Sequence, residues 1–139
     1  MNDQELVSLV LEFVREMNAL QRRYGLSMPQ SRREGRMDVL LNEYREEAGR
    51  LYERWLTRRK RSCYYGIGPA FFHGVTERAH FTVERSEKQA AVPVCTVDGS
   101  LDFQFNLVFQ KGRWLINSFK QRYRTRDRSR VDRWQSGNF

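Results

Sequence analysis

Two stretches in the first part of the chain carry apolar side chains every three or four residues, the spacing of one face of a helix. The first stretch predicts a helix over residues 3–24, with Asn2 or Asp3 as its N-cap and Gly25 as its end. The second predicts a helix over residues 37–59. Between them, residues 25–35 contain Gly, Pro and Ser and are expected to form a loop.

Residues 62–74 follow neither periodicity and combine aromatic side chains with three glycines and a proline. Glycine and proline at that density are incompatible with a helix, so we expect a connecting loop, with at most a short strand near Tyr64. Aromatic side chains in such a loop either close one end of the core or contact a partner.

After residue 75 the apolar positions alternate with polar ones, which is the period of a β-strand. The pattern predicts strands over residues 80–85, 89–97, 101–110 and 113–122, with tight turns at Asp98-Gly99 and Lys111-Gly112. Pro93 cannot donate a ladder hydrogen bond, so it should lie at a bulge or face an edge. Helices first and strands afterwards predict an α+β domain, with two or three helices in the concavity of a curved antiparallel sheet of three to four strands.

Length and composition narrow the class of protein. A chain of 139 residues with 13% aromatic residues is expected to form one domain with a real core. The sequence has no apolar run long enough for a membrane span and only two cysteines, too few for a disulfide framework. The acidic start of the chain, residues 1–5, lacks the basic region of a signal peptide.

The net charge of +8 is concentrated near the end of the chain. Residues 120–139 contain seven basic and two acidic residues, 7 − 2 = +5, which leaves +3 for the first 119 residues. We therefore divide the chain into a domain over residues 1–123 and a basic tail over residues 124–139. Arginines alternate along the tail, with Tyr123 and Trp134 nearby, which suits nucleic acid, an acidic surface, or a solvated and poorly ordered terminus.

A second basic cluster, residues 58–61, falls at the predicted end of the second helix. Cations are favoured there by the helix dipole, so a purely structural role is expected.

The residues offer no obvious catalytic set. His80 and Glu84 could form a dyad on one strand face, but a solvent-facing pair is the simpler explanation. Asp102 could enter the concave side only if the neighbouring Phe residues faced outward, and it would then be buried without an obvious partner. Cys63 and Cys95 lack a His at a nucleophile spacing and are expected to be reduced thiols. With only His73 and His80 besides, no zinc site is predicted, and no phosphate-binding glycine loop is present.

Several segments together resemble the NTF2-fold immunity proteins that are encoded beside bacterial polymorphic toxins. They are the helix end LYERWLTRR at residues 51–59, the aromatic loop, and the strands FTVE, AAVPV, FNLVF and GRWLINS. The final hairpin, in which a turn Gly precedes Trp, Leu, Ile, Asn and Ser, is the most specific piece and also occurs across the wider NTF2-like superfamily. The resemblance covers roughly residues 3–123.

This resemblance implies an NTF2-like cone that binds a cognate toxin domain in the cytoplasm, without catalysis, cofactor or metal. At +8, the chain would need a toxin surface that is acidic or largely apolar, or a contact through the acidic face of its second helix. Because aromatic residues and Arg are enriched at interface anchors, we expect the contact at the mouth of the cone. The residues predicted to make it are Tyr64, Tyr65, Phe72, His73, Arg124, Arg126 and Arg128. The alternatives are a nucleic-acid-binding protein that uses the arginine-rich tail, or an NTF2-like small-molecule enzyme, and a homodimer through the open face of the sheet is compatible with the pattern.

Overall fold

A computed structural model describes residues 1–59, 61, 75–77, 82–124, 133–137 and 139. The predicted α+β arrangement is confirmed, with two helices followed by a curved antiparallel sheet, consistent with an NTF2-like cone. The helices are α1 (Asp3–Arg33) and α2 (Met37–Trp55). The strands are β1 (Val75–Glu77), β2 (Glu84–Arg85), β3 (Gln89–Thr96), β4 (Leu101–Gln110), β5 (Arg113–Tyr123) and β6 (Gln135–Ser136). They are ordered β1-β3-β4-β5-β6, and β2 also pairs with β3.

Helix α1 is longer than predicted, because it continues through Gly25 and Pro29 to Arg33. Its start is the expected one, with Asn2 and Glu5 forming a reciprocal capping box. The predicted loop at residues 25–35 is wrong because the apolar stripe extends past Gly25, with Met28 packed against the core. The helix ends at Arg33, and Gly35 follows the C-cap residue Glu34 with a φ of 66° that is favourable for glycine.

Helix α2 starts where predicted but ends at Trp55, four residues earlier than expected. Leu56 turns to an extended conformation and forms a parallel bridge with Ile116 of β5. The N–H of Thr57 then donates to the carbonyl of Ile116 at 2.9 Å. Competition from the edge of β5 therefore ends the helix, and Arg58 and Arg59 lie beyond it rather than in its last turn.

The three long strands and both predicted turns are confirmed. Gly99 has a φ of 73°, and Lys111 and Gly112 have φ of 51° and 80°, which suits a two-residue hairpin turn. Of the predicted strand at residues 80–85, only the last two residues are strand within the described part. Pro93 pairs with β4 on one side and falls between the partners of β1 and β2 on the other, where no N–H is needed.

The core lies between the helices and the concave face of the sheet. Its centre is an aromatic cluster of Phe13, Phe103, Phe105, Phe119 and Phe139, all buried. Within it the ring centroids of Phe119 and Phe139 are 4.8 Å apart, and those of Phe105 and Phe119 are 5.6 Å apart. Edge-to-face and stacked rings at these distances add to the free energy of burial.

Residues 135–137 and 139 pack against the sheet and the core, whereas a solvated and poorly ordered terminus was one of the alternatives left open for the tail. Strand β6 pairs with β5, and the N–H of Gly137 donates to the carbonyl of Phe119 at 3.0 Å. A Cβ at Gly137 would overlap the Phe119 ring, so the close approach requires glycine. The hydrophobic pattern could not predict this docking, because the two residues of β6 and the single side chain of Phe139 are too few to show a periodicity. The proposed division at residue 123 stays a prediction.

Candidate functional site

Most of the residues predicted to contact a partner lie outside the described residues. These are Tyr64, Tyr65, Phe72, His73, Arg126 and Arg128. Cys63 and His80 also lie outside them. Their roles therefore stay predictions, and Arg124 is the one predicted contact residue whose place in the structure is described.

Arg124 has an intramolecular role. Its Nε donates to Oδ2 of Asp102, and Nε of Arg122 donates to the same oxygen at 3.0 Å. The backbone N–H of Arg124 also donates to the carbonyl of Ser100 at 2.8 Å. The Trp134 ring covers Arg122, with the guanidinium carbon 4.2 Å from the ring centroid. We call Asp102, Arg122 and Arg124 the Asp102 cluster.

The position of Asp102 bears on the enzyme alternative. Because strand residues alternate between faces, Asp102 lies on the face opposite Phe103 and Phe105, as the sequence pattern indicated. It is nevertheless completely buried, and the two arginines supply the partner that the sequence did not reveal. The Asp102 carboxylate is therefore paired with two arginine side chains in the interior of the fold. Asp102 therefore lies outside the concave face.

Other candidate groups give no constellation for chemistry in the described part of the chain. Cys95 is buried and is not part of a disulfide. No three His, Cys, Asp or Glu side chains among the described residues are grouped so that they could hold a metal ion. Asp98 has a pKa lowered from 3.8 to about 2, mainly by the backbone N–H of Ser100 and the hydroxyls of Thr96 and Ser100. These bonds order the turn between β3 and β4.

The described surface contains a cleft of about 720 Å³ between α2, the segment after it, and the turn between β4 and β5. Its floor is formed by Tyr52, Leu56 and Leu115, all at most 6% exposed. Seven basic residues and two acidic ones, Glu46 and Glu53, line it, which gives 7 − 2 = +5. We call this the basic cleft. Its basic residues are Arg45, Arg50, Arg58, Arg59, Arg61, Lys111 and Arg113.

Two of these arginines hold the walls of the basic cleft together. Arg113 donates to the carbonyls of Arg54 at 3.2 Å and Glu53 at 3.5 Å, so it satisfies carbonyls at the end of α2. Arg61 donates to the carbonyl of Thr57 at 3.1 Å and to that of Asn117 at 3.4 Å. Its guanidinium carbon also lies 5.4 Å from the centroid of the Phe139 ring.

The other five cations are differently placed. All are exposed, and none of their side chains makes a hydrogen bond or ion pair with another residue that the structure describes; they are Arg45, Arg50, Arg58, Arg59 and Lys111. Seven cations against two carboxylates leave an excess of like charges that repel one another, and a bound anion would reduce that repulsion.

Sequence reasoning detected only part of the basic cleft. The run at residues 58–61 was visible, but the dipole explanation for it is wrong because α2 ends at Trp55. Nothing local connects that run with Arg45 and Arg50 or with Lys111. The three segments meet because Leu56 and Thr57 pair with β5, a contact between residues about sixty positions apart.

No family model, curated protein or solved structure matches this chain. The resemblance to immunity proteins consequently rests on the residues quoted for it above. Neither helix of the described chain is long and apolar enough to cross a membrane.

Proposed function

We propose that this chain is a non-catalytic immunity protein, which binds a cognate bacterial toxin domain in the cytoplasm and blocks it. The proposal combines the resemblance of the second helix and the final hairpin with one observation on the fold. That observation is the aromatic cluster, which fills the concave side of the sheet.

In an NTF2-like enzyme the substrate and the catalytic carboxylate meet inside the cone. In this chain the corresponding space holds five packed rings, with Phe13 and Phe139 at a centroid distance of 5.6 Å. Opening it would cost the burial energy of large aromatic side chains, on the order of 3–5 kcal/mol for one Phe. Asp102 is on the other face, neutralised by Arg122 and Arg124. A function on the outer surface is therefore favoured over one in the interior.

The outer surface suits a protein partner with acidic groups. The basic cleft supplies exposed cations, and arginine pairs with carboxylates through two parallel hydrogen bonds. This agrees with the requirement that a toxin bound by a chain of net charge +8 present an acidic or apolar surface. Tyr64, Tyr65, Phe72, His73, Arg126 and Arg128 remain part of the proposed contact surface.

The test is co-expression with the product of the adjacent gene. That product is expressed from an inducible promoter in a bacterial host, with and without this chain. We expect growth arrest alone and restored growth with the chain, together with co-purification of the two proteins. A non-toxic product, or arrest that this chain does not relieve, would contradict the proposal.

A second experiment addresses the predicted contact residues. Tyr65→Ala and the double substitution R126Q/R128Q should each weaken binding of the toxin domain by more than about 1 kcal/mol, measured by titration calorimetry. Point substitutions are preferred to removal of the tail, because Phe139 is part of the core. Unchanged affinity in both variants would remove these residues from the interface.

A further inference from the structure

We propose that the basic cleft binds a short acidic segment of a protein, with one bulky apolar side chain of that segment on the cleft floor. The identity of that protein as the toxin domain rests on the proposed function above. The segment is defined here by its chemistry: several carboxylates around an apolar anchor.

The charge of the basic cleft calls for a ligand with several anionic groups. Its five unpaired cations come from α2, from the segment after α2 and from the β4–β5 turn, so they surround the floor rather than forming one point. One carboxylate could reach only a part of them. A segment with acidic residues on both sides of a central position could reach cations on opposite walls.

The floor calls for an apolar group at the centre of that ligand. Tyr52, Leu56 and Leu115 line the cleft together with the charged side chains and are themselves buried. The volume of about 720 Å³ lies in the range of sites that enclose a ligand rather than a single ion. An apolar anchor in a pocket with a polar rim is the usual arrangement of a protein–protein hot spot.

The mixture of charges favours a peptide over nucleic acid. Single-stranded nucleic acid is bound by cations combined with accessible rings on which bases stack. Among the described residues that line the cleft, the one aromatic side chain is that of Tyr52, and it is buried. Glu46 and Glu53 interrupt the positive surface. A phosphate backbone carries a charge at every nucleotide, whereas a peptide can interrupt its row of glutamates with a neutral residue.

The probe is a fluorescein-labelled heptapeptide with a central leucine and three glutamates on each side. The full chain is titrated into it and binding is followed by fluorescence anisotropy. The cleft variant R50Q/R58Q is compared with R15Q/R32Q, which removes two exposed arginines of α1 outside the cleft. Both variants have a net charge of 8 − 2 = +6. R45Q/R59Q is a second cleft variant, and circular dichroism verifies that each variant is folded.

We expect R50Q/R58Q and R45Q/R59Q to bind the heptapeptide at least about tenfold more weakly, or about 1.4 kcal/mol, and the control variant less than about twofold more weakly. Replacing the central leucine of the probe by alanine should weaken binding at least about threefold. Equal losses in cleft and control variants, or equal affinity of the two peptides, would overturn the inference. Tighter binding of a single-stranded oligothymidylate of equal charge would also overturn it, in favour of nucleic acid.

The same variants separate this inference from the proposed function. If R50Q/R58Q neutralises the adjacent gene product as well as R15Q/R32Q does, the toxin binds elsewhere and the cleft inference fails while the immunity proposal stands. If the adjacent product is not a toxin but peptide binding depends on the cleft, the immunity proposal fails and the acidic-segment site stands.

Discussion

The Asp102 cluster and the basic cleft use the same residue type in opposite ways. In the cluster, Arg122 and Arg124 share one completely buried carboxylate, so each has a counter-charge inside the fold, and 2 − 1 = +1 remains in excess. In the cleft, exposed cations such as Arg50 and Arg58 form no ion pair with any residue that the structure describes, and they surround an apolar floor. The burial of a counter-charge, rather than the count of arginines, thus separates arginines that hold the fold from arginines available to a partner.

The largest expected effect is that of removing the shared carboxylate. Asp102→Asn keeps the shape of the side chain but leaves two arginines against a buried neutral amide. Removing one partner of a buried ion pair costs roughly 3–5 kcal/mol, and partial exposure of the arginines places this case near about 3 kcal/mol. Urea unfolding followed by circular dichroism measures it. A loss below about 0.5 kcal/mol would mean that the cluster is not what holds β4 to β5 at this point.

A matched pair of arginine substitutions gives a direct comparison of the two regions. Arg124→Gln should lower the free energy of unfolding by about 2 kcal/mol, because it removes a charged hydrogen bond to a buried group. Arg58→Gln should change it by less than about 0.5 kcal/mol, because the side chain is exposed and unpaired. Thermal unfolding of both variants under one buffer condition is sufficient. Equal losses of unfolding free energy in the two variants would contradict the distinction between the Asp102 cluster and the basic cleft.

Within the basic cleft, substitution of Arg113 and substitution of Lys111 should differ by a smaller amount in the free energy of unfolding. Arg113→Gln should cost about 1 kcal/mol, because the carbonyls of Glu53 and Arg54 at the end of α2 lose a cationic donor. Lys111→Gln is the control: it lies in the same turn, is exposed, and should be within about 0.5 kcal/mol of the original chain. Should Lys111→Gln prove the more damaging, the wall role assigned to Arg113 would be wrong.

The smallest expected effect comes from an exposed carboxylate, Asp98, in contrast to the buried Asp102. Its pKa is lowered to about 2 in the folded state, so its ionised form contributes stability above its unfolded pKa. That contribution is lost as the pH falls from about 4 to about 2. The original chain should therefore be slightly more stable than Asp98→Asn at neutral pH, and the difference should vanish below pH of about 2. Denaturant unfolding at a series of pH values tests this prediction. A stability difference between the two proteins that persists at low pH would show that ionisation of Asp98 is not its cause.

The features of the fold that could be predicted from the sequence are those decided by neighbouring residues. The start of α1 follows from Asn2 and Glu5, and the β4–β5 turn follows from Lys111-Gly112, because capping and positive φ are decided by adjacent residues. The ends of both helices were predicted wrongly. In α1 the packing of Met28 outweighed the cost of Pro29, and in α2 pairing with Ile116 outweighed continued helix.

The candidate site was the part least accessible to sequence reasoning. The positive charge of Arg124 was visible in the sequence, but its partner Asp102 lies twenty-two residues away. The burial of Asp102 depends on the register of the strands. The run at residues 58–61 was noticed without the other walls of the cleft. Charge is read directly from a sequence, whereas its compensation depends on contacts that only folding creates.

By itself, the sequence determined two amphipathic helices followed by a meander of three long strands, because side-chain periodicity and turn residues act over a few neighbours. The tertiary structure decided where the helices end, that Phe139 joins the aromatic cluster, and which arginines are compensated. These outcomes depend on pairing and burial between residues far apart in the chain, where a small difference in packing free energy outweighs local preference.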